Sequence, residues 1–108
     1  MHEDLQRLIA MITETVAVLE SDGEAHWRAW LIRIRSSLEA GDTYGARELL
    51  SGYGGMGSFN DLVLGQATQN GQFAWKPNAA ELNRRFDWLR SELWQVANQI
   101  RHPELGRA

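Results

Sequence analysis

The sequence contains no cysteine and only one lysine, Lys76. Without thiols, disulfide bonds, thiolate metal sites and a cysteine nucleophile are excluded. No segment approaches the roughly 18 consecutive apolar residues that a membrane-spanning helix needs. The N-terminus also lacks the basic and apolar regions of a signal peptide. We therefore expect a cytoplasmic protein with no membrane partner.

Basic charge is scarce in the first quarter of the chain. Residues 1–26 hold six acids and one arginine, a net charge of −5, whereas residues 27–108 carry a net charge of +2. Because phosphate contacts need a basic surface, we expect no nucleic-acid partner. The acidic region suits a basic protein partner, and a solvated acidic face is the simpler alternative.

Apolar residues recur at helical spacing through most of the 108 residues. This pattern predicts three long helices and one or two short ones. The predicted helices cover 3–20, the stretch after Glu24 to about Ala40, 43–52, 58–64, and about 22 residues from Asn78. Residues 65–77 lack this spacing and are predicted to form an ordered loop. The fold prediction is therefore all-α, a small helical bundle around a glycine-rich turn.

Helix-start signals agree with these boundaries. Ser21 and Glu24, Ser58 and Asp61, and Asn78 and Glu81 have the three-residue spacing of a capping box. We expect one domain over residues 1–103 and a frayed tail over residues 104–108.

A glycine-rich run separates the third and fourth predicted helices. Gly54, Gly55, Gly57 and Ser58 are expected to form a structural turn, because glycine permits positive φ and close backbone approach. A phosphate-binding loop is the alternative. The run has no lysine and no preceding strand, and Asp61 would repel phosphate, so the turn is favoured.

No constellation of side chains predicts catalysis, a metal or a cofactor. The histidines are scattered and lack metal-ligand spacing. Asp61 has no second acid or histidine beside it in the sequence, as a catalytic carboxylate normally would. We therefore expect a protein that is not an enzyme.

Partner binding is predicted instead from acidic, polar and aromatic residues. Tryptophan is a favoured interface anchor, and the chain has five. The predicted partner-binding residues are Glu14, Glu20, Asp22, Glu24, Asn60, Asp61, Trp75 and Trp88.

The stretch Leu49–Leu64, with the core Gly-Gly-Met-Gly-Ser-Phe-Asn-Asp-Leu, resembles a family of small bacterial proteins of unknown function. The likeness is close over about 16 residues and looser over most of the chain. Since that family carries no established activity, the resemblance implies a fold and an important turn but no reaction. Small single-domain bacterial proteins of this kind are often immunity proteins of toxin–immunity pairs.

The leading hypothesis is therefore a protein-binding module, specifically an immunity protein that occludes the active site of a toxin domain. One alternative is a structural or adaptor helical bundle that self-associates. Another is a small nucleotide-binding enzyme built on the Gly54–Asp61 turn. The sequence does not predict the oligomeric state.

Overall fold

The computed structural model describes residues 2–54 and 56–101. Gly55, which is predicted to belong to the glycine turn, lies outside the described residues, as does the tail predicted over residues 104–108. The elements in chain order are α1 (His2–Ser21), α2 (Ala25–Glu39), α3 (Tyr44–Ser51), a 3-10 helix (Phe59–Asp61), β1 (Gln66–Gln69), β2 (Gln72–Trp75) and α4 (Ala79–Arg101).

The all-α prediction is wrong, because β1 and β2 form a two-stranded antiparallel sheet beside the helices. The fold is therefore mixed α/β, and the loop predicted over residues 65–77 is mostly a hairpin. Its turn is Asn70-Gly71, with φ of 53° and 78°. Two positive φ values are what a tight two-residue hairpin turn requires, and Asn-Gly is its commonest sequence.

The four helices follow the apolar spacing in the sequence, and their observed bounds lie close to the predicted ones. α1 packs against α2 and α4, and α3 packs against the same two helices. The helices therefore form a ring around one core. The fully buried large side chains in that core are Leu8, Ile12, Leu19, Leu31, Ile34, Leu38, Leu49, Phe59, Leu64, Phe86, Leu89 and Leu93.

Two predicted caps and one predicted helix need correction. Ser21 is the last residue of α1, and its hydroxyl donates to the Val18 carbonyl at 2.7 Å. Glu24 itself caps α2 by accepting a hydrogen bond from the Trp27 N–H at 2.8 Å. The helix predicted over residues 58–64 is only the three-residue 3-10 helix, and the Ser58 side chain makes no capping bond.

The hairpin is fastened to the bundle at its base. Gly65 has φ +80°, and a Cβ placed there would lie 2.5 Å from the Ala79 Cβ, so only glycine fits. The Asp22 carboxylate accepts from the Gly65 N–H at 3.2 Å and pairs with Lys76 Nζ at 2.8 Å. The Asn83 side chain satisfies the N–H and the carbonyl of Leu64, each at 2.8 Å. These contacts set the position of the chain between the glycine run and β1.

No helix in the described part of the chain is both long enough and apolar enough to cross a membrane.

Candidate binding grooves beside the glycine loop

The segment Gly52–Ser58, here called the glycine loop, leaves the end of α3 and returns to the bundle. The Phe59 N–H donates to the Gly52 carbonyl at 2.9 Å and closes the loop. Gly54 and Gly57 have φ of 123° and 76°, which side-chain-bearing residues rarely adopt. The Met56 side chain is 98% exposed. The loop therefore projects from a fixed base.

Phe59 is the first residue after the glycine loop, and its ring is fully buried. Four other rings surround it, with centroid separations of 5.2–5.6 Å. They belong to Trp27, Trp30, Tyr53 and Phe86. Gly52 leaves room for this cluster, because a Cβ there would lie 2.4 Å from the Trp30 ring.

Arg90 holds the 3-10 helix against α4. Its guanidinium donates to the carbonyls of Phe59 and Leu62, each at 2.9 Å, and pairs with the Asp87 carboxylate. It also lies 4.2 Å from the centroid of the Phe86 ring. Local sequence spacing does not reveal this role, because the two carbonyls belong to residues 31 and 28 positions earlier in the chain. Arg90 is only 9% exposed.

Tyr53 ties the start of the glycine loop to α4. Its hydroxyl donates to the backbone carbonyl of Arg90 at 2.6 Å. Burial raises the pKa of Tyr53 well above its ordinary value, and the positive charge of Arg90 offsets part of that rise. The hydroxyl is therefore neutral at physiological pH and serves as a donor.

The 3-10 helix separates two surface grooves. Asn60 and Asp61 are adjacent in sequence, but Asn60 lines one groove and Asp61 lines the other. The first, here called the arginine groove, has a volume of about 410 Å³ and is lined by Tyr53, Asn60, Asp87, Arg90, Ser91 and Trp94. The second, here called the acidic groove, has a volume of about 370 Å³ and is lined by Asp22, Glu24, Trp27, Gly57, Ser58, Asp61, Leu62, Val63 and Gln66.

The acidic groove brings together three of the predicted partner-binding residues, Asp22, Glu24 and Asp61. The Asp22 side chain is only 9% exposed and is ion-paired with Lys76. Glu24 and Asp61 have no cationic partner within the described ranges. Val63 is an exposed apolar residue on the same groove. The groove therefore combines uncompensated negative charge with apolar surface.

The other predicted partner-binding residues lie elsewhere. Glu14 pairs with Arg85 at 3.4 Å, and Glu20 lies 3.6 Å from the guanidinium of Arg28. Such exposed pairs contribute about 0–1 kcal/mol each. Trp75 lines a separate groove at the start of α4, and Trp88 lies in a shallow depression on the outer side of that helix. Neither tryptophan lines the acidic groove.

The hydrogen bonds of the glycine loop test the alternative hypothesis that this loop binds phosphate. The Gly57 N–H donates to the Asp61 carboxylate at 3.2 Å, and the Phe59 N–H donates to Gly52. These two N–H groups are therefore already occupied, and the negative charge of Asp61 lies beside them. The 3-10 helix that follows is too short for a substantial dipole. This arrangement counts against a phosphate-binding loop.

Within residues 2–54 and 56–101, the His, Asp and Glu side chains form no cluster of three that could hold a metal ion.

Residues 20–72 match a protein family described as a domain of unknown function, DUF6966. The chain is thus similar to that family from the end of α1 to the first residue of β2. No curated protein and no solved structure matches the chain. Every residue that lines the acidic groove falls within the matched segment. Four residues of the arginine groove, Asp87, Arg90, Ser91 and Trp94, fall outside it.

Proposed function

We propose that this chain is a cytoplasmic protein-binding module that acts as an immunity protein, covering the active site of a bacterial toxin domain. The acidic groove is the observation that carries the proposal. Its uncompensated Glu24 and Asp61 carboxylates lie beside exposed Val63. Toxin domains that bind or cleave nucleic acid need a basic active-site cleft. A basic segment of such a cleft would find opposite charge and apolar contact here.

The two kinds of surface contribute differently to such a complex. Exposed carboxylates at the edge of an interface mainly raise the association rate, and salt weakens their effect. Apolar side chains that become buried slow dissociation. Met56 projects from the glycine loop beside the acidic groove and adds a flexible apolar contact. The rigid base of the loop limits the entropy lost on binding.

The test uses the purified chain and the protein encoded by the adjacent gene. We expect the two to associate with a Kd below about 1 µM, as measured by calorimetry. The toxin activity of the neighbour should fall in proportion to the complex formed. Absence of association at about 10 µM would refute the proposal for that neighbour, and an adjacent gene for a metabolic enzyme would count against it.

A charge variant tests the acidic groove itself. We expect Asp61→Asn to slow association about tenfold at low salt, with a smaller difference at high salt. Glu39→Gln is the matched control, because it removes one exposed carboxylate at the far end of α2. Equal association rates for the two variants would show that the acidic groove does not face the partner.

A further inference from the structure

The hairpin exposes aromatic rings that the helical core does not use. Phe73 and Trp75 lie two residues apart on β2 and therefore on the same face of the sheet. Their rings contact each other edge to face at a centroid distance of 5.0 Å. They are nevertheless 58% and 56% exposed. An isolated two-stranded hairpin with an open aromatic face is marginally stable in water.

Among the described residues the sheet has only two strands, so each strand has one edge that no other strand pairs with. The Lys76 N–H donates to the Gly65 carbonyl at 2.7 Å, so this pair is hydrogen-bonded. Hydrogen-bonded and non-hydrogen-bonded pairs alternate along an antiparallel ladder. Ala67 and Ala74 therefore bond to each other. The backbone N–H and carbonyl groups of the pairs Thr68–Phe73 and Gln66–Trp75 point away from the partner strand. The outer edge of β2 therefore presents the N–H and carbonyl groups of Phe73 and Trp75.

The hairpin lacks the usual protection against edge pairing. Natural edge strands generally carry charged residues, prolines or bulges. The chain has no charged residue between Asp61 and Lys76, and neither strand contains proline. The Lys76 ammonium is held by Asp22 at the base of the hairpin. A second copy of the same strand would therefore place no like charges opposite each other in the paired strands.

The two edges of the hairpin have different surroundings. Gln66, at the start of β1, lines the acidic groove, so two copies paired through β1 would bring like charges together. β2 adjoins a groove of about 420 Å³ lined by Trp75, Lys76, Pro77, Ala79, Ala80 and Asn83. Its surface is largely apolar.

We propose that a second copy of this chain pairs antiparallel along the outer edge of β2, giving a symmetric dimer with a four-stranded sheet. Such an isologous contact requires a surface complementary to itself, and the uncharged β2 edge meets that requirement. The exposed rings of Phe73 and Trp75 become covered by their counterparts. The acidic groove lies on the β1 side and stays open, so dimerisation and partner binding are independent.

Analytical ultracentrifugation tests the dimer. At about 100 µM, well above a micromolar Kd, we expect the wild-type chain to sediment at twice the monomer mass. Trp75→Lys should sediment as a monomer, because it places like charges on the two paired strands. Trp88→Lys is the matched control and should stay dimeric, since Trp88 is a similarly exposed tryptophan on α4. A monomeric wild-type chain, or equal dissociation by the two variants, overturns the proposal.

Proline variants identify the edge. Phe73→Pro and Thr68→Pro each remove an outward-facing N–H and leave the hydrogen bonds within the hairpin in place. We expect Phe73→Pro to abolish the dimer and Thr68→Pro to retain it, with circular dichroism spectra unchanged in both. Retention of the dimer by Phe73→Pro overturns pairing through β2. Binding of the neighbouring protein by Trp75→Lys is then measured separately, so the two proposals can fail independently.

Discussion

Two groups of aromatic rings in this molecule have similar chemistry and opposite surroundings. One group packs around Phe59 inside the bundle, and the other, Phe73 and Trp75, lies on the hairpin with both rings more than half exposed. Phe59 and Trp75 both lie outside the α-helices, Phe59 on a short 3-10 helix and Trp75 on a strand. The difference is whether a side chain of the bundle holds the backbone of the segment. Arg90 on α4 holds the 3-10 helix by donating a hydrogen bond to the Phe59 carbonyl.

The test with the largest expected change in stability removes one ring from each group. Phe59→Ala should lower the free energy of unfolding by about 3–5 kcal/mol, because it leaves a cavity among four other rings. Phe73→Ala should change it by less than about 0.5 kcal/mol in the monomer, since the ring is exposed. Urea denaturation at low protein concentration measures both. Similar losses would show that the hairpin ring is part of the core.

The next test compares the base and the tip of the hairpin. Gly65 and Gly71 have nearly equal φ, +80° and +78°, but only Gly65 is in close contact, with Ala79. Gly65→Ala should cost about 3 kcal/mol from backbone strain together with overpacking. Gly71→Ala should cost about 1–2 kcal/mol from backbone strain alone. Thermal unfolding of the pair measures the difference, and equal costs would mean that the base of the hairpin is not fixed to α4.

The smallest expected change in stability concerns Ser58, the residue before the 3-10 helix. The Ser58 Oγ is buried and finds no hydrogen-bond partner among the described residues, so Ser58→Ala should change stability by less than about 0.5 kcal/mol. Glu24→Ala is the reference and should cost about 1 kcal/mol, because Glu24 makes a real capping bond. If denaturation shows equal losses, Ser58 caps the 3-10 helix, and Arg90 is not the main restraint.

The helices could be predicted because their apolar stripes repeat along the chain. Leu82, Phe86, Leu89 and Leu93 alternate in steps of four and three, and that spacing sets the face of α4 that enters the core. The hairpin could also have been predicted. Asn70-Gly71 is a strong hairpin signal, but the residues beside it have no helical spacing and therefore resemble a loop.

The grooves could be predicted only in part. Asp22 and Glu24 are close in sequence, so their proximity follows from the turn between α1 and α2. Their meeting with Asp61 depends on how the glycine loop returns to the bundle. The burial of Arg90 depends on two carbonyls from residues 28 and 31 positions earlier in the chain. Local spacing does not encode such long-range contacts.

The hydrogen bond between Phe59 and Gly52 separates the exposed Met56 from the buried core, to which Tyr53 still contributes its ring. Because this bond fixes both ends of the loop, the exposed Met56 can be exchanged, or the loop lengthened at that residue, at a small entropic cost. Relatives of this protein could therefore diversify the tip of the loop without repacking the aromatic interior. The same site is a suitable place to insert a peptide tag or a reporter sequence.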